Sequence, residues 1–214
     1  MMKSDSEIYL EQYKDIYDSK IILNDKINSD NSLDLFYREI KDCTKCSLSK
    51  SRTNLVFGVG NPKADIVLVG EAPGKNEDLQ GEPFIGRGGK LLDKILEAIN
   101  LNRKKVFILN VLKCRPPENR DPKPQEILEC EPHLKKQLEL INPKLIVALG
   151  RIAAMTLLKT KDSLTNMRNK IHKYEKIDLI VTYHPAALLR NPNFKKPTWE
   201  DFKLIRNNYL NVNK

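Results

Sequence analysis

The chain has 214 residues with 37 Lys and Arg against 28 Asp and Glu, a net charge of +9, three histidines and four cysteines. That length accommodates one α/β domain with a sizeable core, or two small domains at most. No run is long and apolar enough to span a membrane, and the opening residues lack a basic start followed by an apolar stretch, so a cytoplasmic protein without a signal peptide is expected.

The charge is uneven. Residues 1–35 carry a net −4 and the remainder +13. An acidic extension on a basic body is expected to leave the body free to meet polyanions, although a lysine-rich composition also serves solubility alone. Apolar residues are scattered through 1–31, where one short helix is conceivable; the folded domain is placed at 36–214.

In chain order, "NSLDLFYREIKDC" predicts a helix capped by Asn31 or Ser32. "ADIVLVG" is an unbroken apolar strand ending in glycine, and "GGKLLDKILEAIN" puts Leu91, Leu92, Ile95, Leu96 and Ile99 on one helical face. "KVFILNV" is a second strand. "PKPQEILECEPHLKKQLELI" predicts a helix starting near Pro124 and kinked at Pro132. "KLIVALG" is a third strand, leading into the helix "RIAAMTLL". "DLIVTY" is a fourth, and "PTWEDFKLIRNNYL" is a closing helix with Pro197 and Thr198 at its start.

Strands that are apolar throughout are covered on both faces. The alternation with helices therefore predicts a three-layer α/β/α sandwich around a four-stranded parallel sheet. Ligands bind such sheets at the carboxyl ends of the strands. The first strand leaves through Gly70 and Glu71, the second through Asn110, and the fourth through His184 in "VTYHPAALLRNP". These three exits are expected to share one crevice.

The cysteines are Cys43, Cys46, Cys114 and Cys130. In an intracellular chain, four cysteines argue for metal or redox use rather than a disulfide framework. A thioredoxin-like C-x-x-C would lie between a strand and a helix, and the Cys43–Cys46 pair follows a helix instead. A zinc ribbon favours two close pairs, whereas Cys114 and Cys130 are far apart. Four thiolates are also the ligand set of a [4Fe–4S] cluster. Spacing alone leaves iron–sulfur, zinc and unligated thiols open.

Four segments occur in order: "GEAPGKNED" from Gly70, "GEPFIGRGGKLLD" from Gly81, "NVLKCRPPENRDP" from Asn110 and "HPAALLR" from His184. With the cysteine spacing, they resemble the family 4 uracil-DNA glycosylases, the iron–sulfur type, over about Phe36 to Leu210. A small departure is Gly88, where many relatives have alanine. The resemblance implies the same sandwich, a structural [4Fe–4S] cluster on the four cysteines, and hydrolysis of the bond between uracil and deoxyribose. It also implies a monomeric, nucleoid-associated enzyme of base excision repair in a prokaryote.

The resemblance further implies roles for individual residues. A base must leave the stack before it can be cut from its sugar. Phe84 would stack on the flipped uracil rather than serve the core. The Asn110 amide offers a donor and an acceptor to its edge. Gly70, Ala72 and Gly74 would let backbone N–H groups approach. Glu71 would stabilise the cationic sugar or orient water, and His184 would donate to uracil O2 as charge builds there. Leu188 or Leu189 would fill the gap left in the duplex, with Arg190 nearby on a phosphate or the orphaned base. Arg115 and Arg120 are candidate phosphate contacts. Lys75 and Lys90 are not read as nucleophiles. Three other readings remain: a relative that excises a different deaminated base or binds uracil DNA covalently, a non-catalytic nucleic-acid-binding domain of the same fold, such as one attached to replication machinery, and a zinc-stabilised binder with no cluster.

Overall fold

Short apolar runs build the sheet, and their alternation decides which layer each side chain enters. The structure is a computed structural model, and it describes residues 29–210. The short helix considered for the leader before residue 29 lies outside the described residues. The elements are α1 (Ser29–Ile40), β1 (Val59–Gly60), β2 (Ile66–Gly70), α2 (Lys75–Gln80), α3 (Arg87–Glu97), β3 (Phe107–Asn110), α4 (Pro124–Ile141) and β4 (Leu145–Leu149). They continue with α5 (Arg151–Leu158), α6 (Leu164–Met167), β5 (Ile171–Tyr174), β6 (Ile177–Thr182), α7 (Pro185–Arg190) and α8 (Lys195–Ile205).

The strands form one six-stranded mixed sheet in the order β1-β3-β2-β4-β6-β5. The expectation of a sheet of only four parallel strands is thereby corrected. β3, β2, β4 and β6 run parallel, and β1 and β5 are added antiparallel at the two edges. Every residue of β2, β3 and β4 is buried. Along β2 the side chains alternate between two cores, as the strand period of two demands. Val67 and Val69 pack with Leu134 and Leu138 of α4 and Ala153 and Leu157 of α5. Ile66 and Leu68 pack with Leu92 and Leu96 of α3 and Phe202 and Ile205 of α8. Helices therefore cover both faces.

Two helix starts differ from expectation, while α4 spans Pro132 as one helix from Pro124, as expected. α1 starts at Ser29, so Asn31 and Ser32 fall inside it rather than at its cap. Its Leu33 enters the main core, while Phe36 and Ile40 pack with Leu55. α8 starts before Pro197. No helix among the described residues is long and apolar enough to cross a membrane.

Register brings the functional strand ends level. Gly70 of β2 faces Asn110 of β3, and the ladder continues past both strands through Val111 N–H to Gly70 O at 2.9 Å and Leu112 N–H to Glu71 O at 3.0 Å. On the other side, Leu149 of β4 pairs with Thr182 of β6, just before His184.

Candidate active site

A crevice of about 430 Å³ opens at these carboxyl ends. Glu71, Ala72, Gly74, Phe84, Asn110, Arg120, His184 and Arg190 all line it, so most residues singled out from the sequence meet in one place. Gly70 lies directly beneath. A Cβ there would sit 2.6 Å from the Phe84 ring, so only glycine lets the ring and the Asn110 side chain close over the end of β2. Gly74 faces Glu77, whose carboxylate would lie 2.7 Å from a Cβ at that position.

Phe84 has a left-handed backbone with φ of 55° and is 6 % exposed. Its ring stacks on the His184 imidazole, with centroids 5.3 Å apart and planes inclined by 26°. The two rings make an aromatic wall. Asn110 is 2 % exposed, and its Oδ1 is buried without a hydrogen-bond partner. A buried acceptor left unmade costs about 1–3 kcal/mol, so such a group usually awaits a donor.

His184 is the N-cap of α7, and its Nδ1 accepts the Ala186 N–H at 3.2 Å. Burial, and after it the positive charge of Arg190, lower its pKa to about 4 against the opposing charge of Glu77. The ring is therefore neutral at physiological pH. With Nδ1 an acceptor, the single proton resides on Nε2.

Glu71 is partly buried at the β2 exit. Burial holds its carboxyl above the ordinary carboxylate value, and the negative charge of Asp121 adds to this while Arg151 opposes it. Arg151 reaches Asp121 at 3.3 Å. Arg120 does not stand free for a phosphate. It grips the buried Glu126 carboxylate with two nitrogens, at 2.6 and 2.9 Å, and so fastens the crevice loop to the start of α4. Arg115 bonds Asn119 at 2.8 Å and is not part of the crevice lining. Leu188 is 2 % exposed, which removes it as a wedge because a packed side chain cannot also enter DNA. Leu189 is 41 % exposed on the same helix.

All four cysteines line one small pocket beneath the β3 exit, and none forms a disulfide. The pocket suits an anionic thiolate cluster. Arg52 donates to the Cys114 Sγ at 3.3 Å and to the Cys43 carbonyl at 2.6 Å, and the Lys113 N–H donates to the Cys130 Sγ at 3.3 Å. The His133 Nε2 lies 3.3 Å from the Cys43 Sγ. Burial pushes the Cys130 thiol up to about 11, so its thiolate form is favoured only beside added positive charge. Among the described residues the metal-ligand side chains do not by themselves close into a coordination group.

Residues 57–203 match the profile of the Uracil DNA glycosylase superfamily. The chain is 50 % identical over 182 residues to a type-4 uracil-DNA glycosylase of Archaeoglobus fulgidus, covering 81 % of this chain and 92 % of that protein. It is 49 % identical to the Sulfurisphaera tokodaii type-4 enzyme over 185 residues, which is 82 % of this chain and 84 % of the relative. The Saccharolobus solfataricus type-4 enzyme is 45 % identical over 185 residues, 82 % of this chain and 86 % of the relative. The chain belongs to the type-4 uracil-DNA glycosylases.

Some residues of this type-4 site escape a reading of the sequence. Glu77 accepts the Gly86 N–H at 3.1 Å inside the crevice, and the charge of Asp121, on the same crevice wall, acts on Glu71. Lys113 is fully buried, and its Nζ donates to the Asn110 carbonyl at 2.6 Å. Glu77 lies within the "GEAPGKNED" segment but carried no marker of a role. Charged residues default to solvent, and only the assembled loops make these three structural.

Proposed function

We propose that the crevice hydrolyses the N-glycosidic bond of uracil in DNA and leaves an abasic site. The single observation that carries this reading is the convergence of the Phe84–His184 wall and the unpartnered Asn110 Oδ1 on one crevice. A flat base with a ring N–H fits such a slot, because the N–H satisfies the orphaned acceptor. His184, neutral and protonated on Nε2, donates to the carbonyl of the departing base as negative charge builds there. Glu71, with its raised pKa, orients water toward the sugar and balances the positive charge that develops on it. The backbone around Ala72 and Gly74 approaches the ligand closely. The described lining holds no lysine, which favours a monofunctional enzyme without a Schiff-base step.

Cys43, Cys46, Cys114 and Cys130 are suited to hold a [4Fe–4S] cluster, which when bound supplies a cross-link between the segment after α1, the exit of β3 and α4. Arg190 on the crevice rim is a phosphate contact, and Leu189 is the side chain free to enter the duplex. The enzyme acts as a monomer in base excision repair on the nucleoid.

The test is alkaline strand scission of a single-uracil oligonucleotide after incubation with the cluster-loaded protein, beside a thymine control and a borohydride trap. The reading expects scission at uracil alone and no trapped protein–DNA adduct. Intact uracil strands would contradict the activity, and a trapped adduct would contradict the monofunctional mechanism.

A further inference from the structure

Phe84 has a conformation that an aromatic residue does not hold unaided. Left-handed backbone is rare for a bulky side chain and persists only where its surroundings enforce it. The loop that carries it, between α2 and α3, makes few restraints of its own. One of them is the Gly86 N–H to the Glu77 carboxylate. Another is steric, because a Cβ on Gly89 would overlap the Phe84 carbonyl, so α3 approaches that carbonyl directly.

The buried ring itself packs against His184 and the core that holds Leu92 and Ile108, and a further restraint on the backbone comes from outside the loop. Arg103 follows α3, in the turn before β3, beyond all four signature segments. Its Nη1 donates to the Pro83 carbonyl at 3.1 Å and reaches Glu82 at 3.3 Å, and its Nη2 donates to the Phe84 carbonyl. Its Nε donates to Asp93 of α3 at 2.7 Å, which fixes the plane of the guanidinium. One planar fork therefore gathers two consecutive loop carbonyls and two carboxylates. Lysine cannot copy this, because it offers a point charge instead of a fixed array of donors.

We propose that Arg103 is a positioning residue for base recognition: it clamps the Pro83 and Phe84 carbonyls so that the Phe84 ring is held in the base-binding wall. This rests on the proposed function, in which that wall receives uracil. Arg103 lines no part of the crevice. Its loss is therefore expected to reach the base slot through the pose of the Phe84 loop.

The test separates base binding from DNA binding. Inhibition by free uracil reports the base slot, and affinity for an oligonucleotide with an abasic site reports the DNA surface with no base present. Arg103→Leu is expected to weaken uracil inhibition by about tenfold or more while abasic-site affinity stays within about twofold. Arg103→Lys is expected to recover only a small part of the loss. Lys104→Met, which removes an adjacent exposed charge, is expected to change neither quantity. If Arg103→Leu fails to fold, Asp93→Asn, which frees the guanidinium but keeps it, is expected to weaken uracil inhibition in the same direction and less. Unchanged uracil inhibition in the folded variants would overturn the proposal, as would a parallel loss of abasic-site affinity or full rescue by Arg103→Lys. Wild-type protein that neither excises uracil nor is inhibited by it would instead overturn the underlying function, so the two failures are distinguishable.

Discussion

The Nδ1 of His184 accepts the backbone N–H of Ala186 across 3.2 Å, so the histidine caps the helix it begins and its remaining proton is committed to Nε2. Loss of one preorganised donor to a developing oxyanion costs about 2.7–4 kcal/mol in the barrier. His184→Ala is therefore expected to slow single-turnover excision by about 10²–10³-fold. Part of its effect on stability comes from the lost cap. His184→Asn restores an acceptor for the Ala186 N–H, so it is expected to recover thermal stability more fully than rate. Parallel recovery of both would contradict a chemical role for the imidazole.

The pH dependence follows from Glu71. Its carboxyl is held above the ordinary value by burial and then by Asp121, and a protonated carboxyl cannot orient water as a base. The acid limb of kcat/KM is therefore expected above the usual carboxylate range. Asp121→Asn removes a negative neighbour, lowers the Glu71 pKa and should move the limb to lower pH. Arg151→Met removes the opposing positive charge and should move it higher. His184 should add no ionisation of its own near neutrality, because its pKa is lowered to about 4. Shifts of the same sign in both variants would contradict the assignment of the limb to Glu71.

Gly70 is irreplaceable on space alone. A Cβ there would lie 2.6 Å from the Phe84 ring, so Gly70→Ala must displace the ring or β3. Overpacking of this type typically costs about 1–3 kcal/mol of stability. The expected result is a protein that still folds, with a denaturation midpoint lowered by that amount and excision reduced by at least about a hundredfold, since displacement falls on the base slot. Near-normal excision would show that Phe84 does not need this pose.

Much of this arrangement is legible in the sequence, for identifiable reasons. The runs around Val67, Leu109, Val147 and Ile180 are apolar throughout, which only a sheet covered on both faces requires, and the parallel strands follow from that. The edge strands are not legible. β1 is the pair Val59–Gly60, and β5 is half exposed, with Ile171 45 % accessible, so neither leaves a hydrophobic period. Glu71, Asn110 and His184 stand out because they sit at strand exits, and Phe84 stands out through its glycine-rich loop and the family resemblance. Arg103, Asp121 and Lys113 do not, because a charged side chain declares its partners only when distant loops meet. Leu188 and Leu189 are identical by type, and only the orientation of α7 buries one and exposes the other.

Metal loading is the next expected outcome. The four cysteines share a pocket with the N–H donors of Arg52 and Lys113 directed at sulfur. Protein purified without oxygen is expected to be brown, to contain four irons per chain as a [4Fe–4S] cluster requires, and to lose colour and thermal stability together in Cys114→Ser. Stoichiometric zinc in place of iron would contradict the cluster assignment while leaving the crevice untouched.

The most direct test of the central claim is the rate of free-base release from oligonucleotides identical except for one position, which holds uracil, thymine, cytosine or hypoxanthine. The arrangement of Phe84, Asn110 and His184 predicts release of uracil at a rate far above the other three. No release of uracil by folded, cluster-loaded protein, or faster release of hypoxanthine, would contradict it.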